Sequence, residues 1–240
     1  MKLMRSILSL ALAVLLVCSL GAGVFAADYP ESGFVDVPRT EWFAKAVDYV
    51  KYAGLMNGVG ENRFDPAGTV TRAMIVTVLY RMMHEPDIKG KTCPFVDVPV
   101  GDWYFNAVIW AADAGVTNGV DDTHFAPTQP ISREEMAVMI VRMVINSQPN
   151  AKQYTALLQA EFDKINAPGY QGKEKPLAAL YTDSASISSW AQLYVYIANL
   201  AGVMQGDTSG AFRPKDSLSR AECAATFLKF SRVGQTFLAQ

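Results

Sequence analysis

The feature that most constrains the fold is a pattern that occurs three times between residues 34 and 220. Each copy contains, in the same order, an aromatic-x-Asp segment, a tryptophan, two glycines four residues apart, a Phe-x-Pro segment and an arginine. The main landmarks are Asp36, Asp97 and Asp183; Trp42, Trp103 and Trp190; Gly58, Gly119 and Gly206; and Arg72, Arg133 and Arg220. Repetition at this length is typical of proteins whose units cannot bury their apolar faces alone.

Each copy has the periodicity of two helices. Apolar residues recur at spacings of three and four after the tryptophan and again after the arginine. The predicted helices cover residues 42–53, 72–83, 103–114, 133–144, 190–201 and 220–230. A Ser or Thr before each arginine is a suitable N-cap, and a glutamate three residues later completes a capping box in the second and third copies. The sequence therefore predicts a mostly α fold of three helix–loop–helix repeats that share one core.

The spacing of the landmarks sets the predicted domains. Repeat 1 covers residues 31–90, repeat 2 residues 91–148 and repeat 3 residues 177–232, and residues 233–240 form a C-terminal tail. The interval from the second tryptophan to the third is 26 residues longer than the preceding interval, which places an insert at residues 149–176. Within it, residues 151–165 are predicted to be a helix. Its apolar stripe consists of Tyr154, Leu157, Leu158, Phe162 and Ile165.

The first 26 residues have the composition of a secretory signal peptide. Lys2 and Arg5 precede an apolar run, and Val24-Phe25-Ala26 ends in a small residue suited to cleavage. An uncleaved anchor helix is the alternative, because no charge occurs between Arg5 and Asp28 and a membrane span needs about 20 apolar residues. We expect cleavage after Ala26, a secreted protein and no transmembrane segment in the mature chain.

Composition and motifs exclude several functions. The formal net charge of −2 and the scattered basic residues disfavour a nucleic-acid binder. The chain has only two histidines, and their spacing is not that of metal ligands, which disfavours a metal site. No catalytic motif or cofactor motif occurs. The sequence thus predicts a protein that is not an enzyme and has no metal or cofactor. Cys93 and Cys223 allow a disulfide, but the sequence alone does not decide whether they form one. Cys223 occupies an apolar repeat position that favours burial.

The recurring arginines are the strongest candidates for binding. A cation in the first turn of a helix opposes the helix dipole, yet all three copies place an arginine there. Free backbone N–H groups together with a guanidinium would bind an anion such as a carboxylate. A salt bridge to an acid of a neighbouring repeat is the alternative. Under the binding interpretation, replacing these arginines is expected to weaken binding with little loss of stability.

The other landmarks admit two roles each. The three tryptophans could fill the core next to a helix start or stack on the C–H face of a sugar. The three aspartates could brace the chain or accept sugar hydroxyl groups, and the glycines could form turns or allow a ligand close to the backbone. All twelve landmark residues are therefore candidates for a binding site.

This series of motifs resembles the S-layer homology (SLH) domain, which commonly occurs as three tandem copies. The resemblance rests on Phe-x-Asp-Val, a tryptophan, Gly-x-x-Asn-Gly, Phe-x-Pro and Thr/Ser-Arg-x-Glu. Repeat 1 departs from the last motif, with Met74 in place of the glutamate, and the resemblance is thinner at the start of repeat 3, where Tyr181-Thr182-Asp183 replaces the first motif. It implies a pseudo-threefold spindle of three repeats with a central helical bundle and grooves between the repeats. It also implies non-covalent attachment to a bacterial cell-wall glycopolymer, often a secondary polymer with pyruvate ketals on N-acetylmannosamine.

The leading hypothesis is therefore a secreted, non-catalytic protein of the bacterial cell wall or cell surface that binds wall glycopolymer between its repeats. One alternative is a self-assembling surface-layer protein. Another is an accessory module, bound to peptidoglycan, of a wall-modifying system. Protein partners are not indicated by any motif.

Overall fold

A computed structural model of the chain describes residues 29–238, with side chains described as far as Val233. The predicted signal peptide lies outside these residues. The described part contains eight α-helices and one short 3-10 helix at Ser184–Ser186. The α-helices are α1 (Ala44–Tyr52), α2 (Arg72–Met82), α3 (Phe105–Asp113), α4 (Arg133–Asn146), α5 (Ala151–Ile165), α6 (Leu177–Leu180), α7 (Gln192–Leu200) and α8 (Arg220–Leu238). The predicted mostly α fold is confirmed.

The second helix of each repeat begins at its arginine, as predicted, because the preceding residue caps it. The side chain of Thr71 accepts a hydrogen bond from the backbone of Met74, and Ser132 forms a capping box with Glu135. Helix α8 is longer than predicted and continues through most of the predicted tail to Leu238.

The first helix of each repeat begins two residues after its tryptophan and not at it. The residues before these helices, Phe43, Tyr104 and Ala191, make no side-chain capping hydrogen bond. Each helix ends before a glycine with positive φ, as predicted for a left-handed helix end: φ is 67° at Gly54 and 66° at Gly115.

Helices of different repeats pack in cyclic order. The second helix of each repeat contacts the first helix of the next repeat, so α2 packs on α3, α4 packs on α7, and α8 packs back on α1. The buried apolar side chains of all three repeats belong to one continuous core. The prediction that the repeats share a core is therefore confirmed. The pseudo-threefold spindle stays a prediction, which this order supports.

Three backbone hydrogen bonds join the repeats at the centre of the fold. The N–H of Val70 donates to the carbonyl of Leu218 over 3.0 Å, Leu218 donates to Ile131 over 3.3 Å, and Ile131 donates to Val70 over 3.0 Å. All three side chains are fully buried. Because each residue lies just before the second helix of its repeat, this triangle sets the starting points of α2, α4 and α8.

The insert is packed against the repeats. Helix α5 has the predicted bounds and contacts both α4 and α7. Leu158, Phe162 and Ile165 are buried, and the Phe162 ring meets that of Tyr196 edge to face at 5.4 Å. Leu157, which also belongs to the predicted apolar stripe, is 56% exposed, so only part of that stripe faces the core.

The two cysteines of the described residues are both free, and Cys223 is fully buried, as its repeat position predicts. Burial raises the pKa of the Cys223 thiol to about 12. Among residues 29–238, no helix combines the length and apolar character needed to cross a bilayer.

Candidate functional site

Each of the three arginines reaches into the next repeat. The Nε atom of Arg72 donates to the carbonyl of Phe125 over 2.8 Å, and Arg133 makes the same bond to Phe212 over 2.7 Å. Arg220 closes the cycle by donating to the carbonyl of Phe64. Each guanidinium also lies 4.5–5.1 Å from the centre of the ring of that phenylalanine. The arginines are therefore buried contacts between repeats.

The helix N-termini do not supply free N–H groups, so this part of the predicted anion site is wrong. The N–H of Arg72 donates to the carbonyl of Gln129, and that of Ala73 donates to Pro127, both over 3.0 Å. The corresponding groups of α4 and α8 donate to equivalent carbonyls in repeats 3 and 1. Carbonyl oxygens of a neighbouring repeat thus satisfy the first N–H groups of each helix.

Ion pairs to neighbouring repeats exist, but they differ between the three positions. Arg72 Nη1 lies 2.7 Å from Glu135 Oε1, whereas Arg133 Nη1 lies 4.0 Å from Glu222 Oε1. At the position equivalent to Glu135 and Glu222, repeat 1 has Met74, which carries no charge. Burial lowers the pKa of all three guanidinium groups, and at Arg72 the negative charge of Glu135 opposes that shift.

The three tryptophans are exposed. The exposed fractions are 66% for Trp42, 62% for Trp103 and 50% for Trp190. The alternative that they fill the core is therefore wrong. Instead, Trp42 and Trp103 meet the next aromatic residue along the chain edge to face, with ring centres 5.4 Å and 5.1 Å apart. Much of each indole ring therefore remains open to solvent, where it could contact a ligand.

The aspartates brace the Phe-x-Pro segment of their own repeat. The two oxygens of Asp97 accept the N–H groups of Phe125 and Ala126 over 2.8 Å and 2.7 Å. Asp36 and Asp183 hold their own segments in the same way. Ala126 has a φ of 57°, a conformation that is unfavourable for any residue with a Cβ atom. The carboxylate therefore holds a strained segment whose neighbouring carbonyl accepts the arginine of another repeat.

The second glycine of each repeat allows two parts of that repeat to come close together. A Cβ atom at Gly119 would lie 2.4 Å from the carbonyl oxygen of His124 and 2.6 Å from the Phe95 ring. At Gly58 and Gly206 the equivalent distances to a carbonyl oxygen are 2.6 Å and 2.9 Å. These glycines are required by the close packing of the turn.

Side chains of all three repeats line one cavity of about 370 Å³, which we call the Arg72 groove. Repeat 1 contributes Arg72, and repeat 3 contributes Trp190. Repeat 2 contributes residues 116–120 together with Glu135 and Arg142 of α4. The groove thus combines two cations, one carboxylate, a half-exposed indole and the turn at Gly119. Sequence reasoning missed Arg142, which lies nine residues beyond Arg133 and outside the repeated landmarks.

The arrangement of the groove suits a polar ligand with an apolar face. The indole offers a flat apolar surface, and the partly exposed guanidinium of Arg142 offers N–H donors that suit a carboxylate. Within residues 29–238, no three His, Cys, Asp or Glu side chains are arranged to hold a metal ion.

Relatives of the chain include carbohydrate-active enzymes and surface proteins. It is 30% identical to an amylopullulanase from Thermoanaerobacterium thermosulfurigenes over 84% of this chain and 10% of the relative. An endoglucanase from Bacillus sp. (strain KSM-635) is 30% identical over 93% of this chain and 22% of its own length. An S-layer protein from Bacillus thuringiensis subsp. finitimus is 25% identical over 82% of this chain and 21% of its own length.

The chain therefore spans only about a tenth to a fifth of the length of these relatives. The family described as S-layer homology domain matches residues 33–73, 94–137 and 180–224, which together make up more than half of the chain. Each matched stretch runs from the segment before the braced aspartate into the second helix of one repeat. The chain thus belongs to the S-layer homology domain family, with three tandem copies of the domain.

Proposed function

We propose that this chain is a non-catalytic module that attaches to the bacterial cell wall by binding wall glycopolymer in grooves between its repeats. The observation that carries this proposal is the Arg72 groove, where a buried guanidinium and a half-exposed indole from different repeats line one cavity. The protein would then be secreted and reside at the cell surface.

The preferred ligand in this proposal is a sugar with an acidic substituent, such as the pyruvate ketal of a secondary cell-wall polymer. The positive charge of Arg72 and Arg142 would attract the carboxylate, and the indole of Trp190 would cover the C–H face of the sugar. Arg133 with Trp42 and Arg220 with Trp103 are the equivalent pairs in the cyclic order of the repeats. The aspartates and turn glycines would support these sites and not contact the ligand.

The relatives support an anchoring role because only a small part of each relative is similar to this chain. Their names include enzymes that act on polysaccharides and proteins of surface layers, while the similarity covers about a tenth to a fifth of each. A region common to proteins of such different names is suited to a task independent of catalysis, and attachment to the wall is such a task.

Binding to purified wall tests the proposal. Sacculi before and after treatment with hydrofluoric acid, which removes the secondary polymer, are incubated with the protein and sedimented. We expect binding to untreated sacculi only, and strong loss of binding for Trp190→Ala. The control is Leu157→Ala, which removes an equally exposed apolar side chain outside the groove. Equal binding to both preparations would refute the secondary polymer as ligand and indicate peptidoglycan, and no binding to either would refute wall attachment.

Self-assembly into a surface layer is the second candidate. Repeat 2 exposes three large apolar residues close together in the chain, Val96, Val100 and Trp103, and exposed apolar surface favours association. This candidate predicts concentration-dependent light scattering in the absence of glycan and a loss of that scattering for Val100→Asp. If light scattering gave the mass of a monomer at every concentration, self-assembly would be excluded.

A further inference from the structure

A buried carboxylate of repeat 2 binds the turn of repeat 3 that carries Trp190. Glu134 lies in the first turn of α4 and is only 2% exposed. Its Oε2 accepts the N–H of Ser188 over 3.0 Å, and its Oε1 accepts the Ser188 hydroxyl over 2.9 Å. Lys215 donates to the same Oε1 and to the hydroxyl oxygen of Ser188. We call Glu134, Ser188 and Lys215 the Glu134 cluster.

This cluster fixes the chain directly before the tryptophan. The carbonyl of Ser188 accepts the N–H groups of Ala191 over 2.8 Å and of Gln192 over 3.2 Å, and Trp190 lies within that turn. The N–H, the hydroxyl and the carbonyl of Ser188 are thus all bound. Trp190 lines the Arg72 groove, so the position of its indole depends on a carboxylate that lies outside the groove lining.

The cluster belongs to one of the three interfaces between repeats. At the position of Glu134, both other repeats have alanine, and at the position of Lys215 neither has a charged residue. The equivalent residues are Ala73 and Ala221 for Glu134, and Ala67 and Thr128 for Lys215. The start of the second helix therefore does not require an acid at this position.

The tryptophans of repeats 1 and 2 have a different neighbour. Each is followed by an aromatic residue that its indole meets edge to face, Phe43 after Trp42 and Tyr104 after Trp103. Trp190 is followed by Ala191, which has no ring. The Glu134 cluster thus occurs in the repeat whose tryptophan lacks this aromatic neighbour, and it supplies polar contacts where the other repeats have a ring.

The burial of Glu134 needs a reason beyond the helix dipole. An acid in the first turn of a helix is favourable, but an exposed side chain would have this effect without loss of hydration. A buried carboxylate is tolerated when it is paired and hydrogen-bonded, and Lys215 and Ser188 provide both. Its contacts are directed at the turn of Trp190, so holding that turn is what the burial achieves.

We infer that Glu134 is a positioning residue for Trp190, which it holds through Ser188 and Lys215 in the orientation that contacts the wall glycan. The inference rests on the proposed function and adds to it a residue outside the groove on which binding depends. An indole that is already ordered loses less conformational freedom when a ligand binds. Glu134 therefore contributes to affinity without touching the ligand.

Fluorine NMR of the full chain labelled with 5-fluorotryptophan tests this inference. The chain has four tryptophans, and replacing each by phenylalanine assigns its resonance. We expect Glu134→Ala to shift or broaden the Trp190 resonance and to leave those of Trp42 and Trp103 unchanged. Glu134→Gln keeps an oxygen that can accept from Ser188 and should have a smaller effect. Binding of Glu134→Ala to untreated sacculi should be weaker by about three- to tenfold.

Asp48→Ala is the matched control. Asp48 is also 2% exposed, and it accepts the N–H of Ser32 over 2.7 Å and a hydrogen bond from Arg39. The change therefore removes the same kinds of contact from a different part of the fold. Thermal unfolding measures the loss of stability of both variants. We expect Asp48→Ala to lower the melting temperature but to leave the Trp190 resonance unchanged.

The outcomes separate this inference from the proposed function. If Glu134→Ala leaves the Trp190 resonance unchanged, or if Asp48→Ala alters it as much, Glu134 does not position Trp190. If the resonance changes but sacculi are bound as tightly as by the wild type, the contribution to affinity is refuted while wall attachment stands. If the wild type binds no sacculi, wall attachment fails, and the resonance alone decides whether Glu134 positions the indole. Glu134→Gln is judged by the same criteria if Glu134→Ala does not fold.

Discussion

The Nε atom of Arg220 lies 2.7 Å from the carbonyl oxygen of Phe64, a residue 156 positions earlier in the chain. This hydrogen bond joins the last repeat to the first. It belongs to a set of three, in which Arg72 binds repeat 2 and Arg133 binds repeat 3. The arginine of every repeat thus stabilises the Phe-x-Pro segment of another, and the three repeats depend on one another.

Replacing Arg220 by alanine is expected to destabilise the protein. The change removes hydrogen bonds to the carbonyls of Phe64 and Asn57 and leaves a cavity between repeats, so the free energy of unfolding should fall by about 2–4 kcal/mol. Denaturant unfolding followed by circular dichroism measures this value. Arg63→Ala is the control, because its exposed guanidinium lies 3.7 Å from Asp36 and should contribute less than about 1 kcal/mol. Equal losses for the two variants would show that Arg220 does not join the repeats.

Loss of the Asp97 carboxylate should release the segment that Arg72 binds. Asp97→Ala leaves two N–H groups without their acceptor at a residue with positive φ, and we expect a loss of about 2–3 kcal/mol in unfolding free energy. Asp122→Ala changes an exposed aspartate of the same repeat and should cost less than about 0.5 kcal/mol. Thermal unfolding compares the two. A smaller effect of Asp97→Ala would mean that the segment holds its conformation without the brace.

Two glycines that both have a positive φ should respond differently to alanine. Gly119 has a φ of 80° and contacts that leave no room for a Cβ atom, whereas Gly54 has a φ of 67° and no atom within 4 Å. Gly54→Ala should cost only the conformational strain, about 1 kcal/mol. Gly119→Ala should cost at least about 1 kcal/mol more, because the turn must also move away from His124 and Phe95. Equal costs in denaturant unfolding would contradict the close packing at Gly119.

The insert should contribute to the stability of the repeats. Phe162→Ala removes a buried ring that packs on Tyr196 of α7, and we expect a loss of about 3–5 kcal/mol in unfolding free energy. Leu157→Ala, on the exposed side of the same helix, should cost less than about 0.5 kcal/mol. If Phe162→Ala instead produced a separate early transition, α5 would unfold independently of the repeats.

The sequence predicts local features well, because their causes lie within a few residues. Ser132 and Glu135 identify a helix start, and Gly54 identifies a helix end, through contacts that span one helical turn. The pattern predicts the tryptophans inside helices because an apolar residue just before a helix continues the periodicity of that helix. Their exposure could not be predicted, since it depends on how the repeats pack.

The partners of the arginines could not be predicted from the sequence. The bond from Arg133 to Phe212 spans 79 residues, and nothing in either local segment identifies the other. The burial of the arginines contradicts the expectation that they could be replaced with little loss of stability. Arg142 was missed because it has no counterpart among the shared landmarks, and only the packing of the three repeats places it beside Arg72 and Trp190.

The backbone triangle of Val70, Ile131 and Leu218 has a consequence for synthesis of the protein. When the ribosome has made only repeats 1 and 2, the N–H of Val70 has no carbonyl to bind, the carbonyl of Ile131 has no donor, and α1 lacks the apolar face of α8. A nascent chain of this length exposes apolar surface that chaperones bind. The native core is completed only after Leu218 and the helix that follows it have been translated, so repeats 1 and 2 cannot complete their core before repeat 3 has been made.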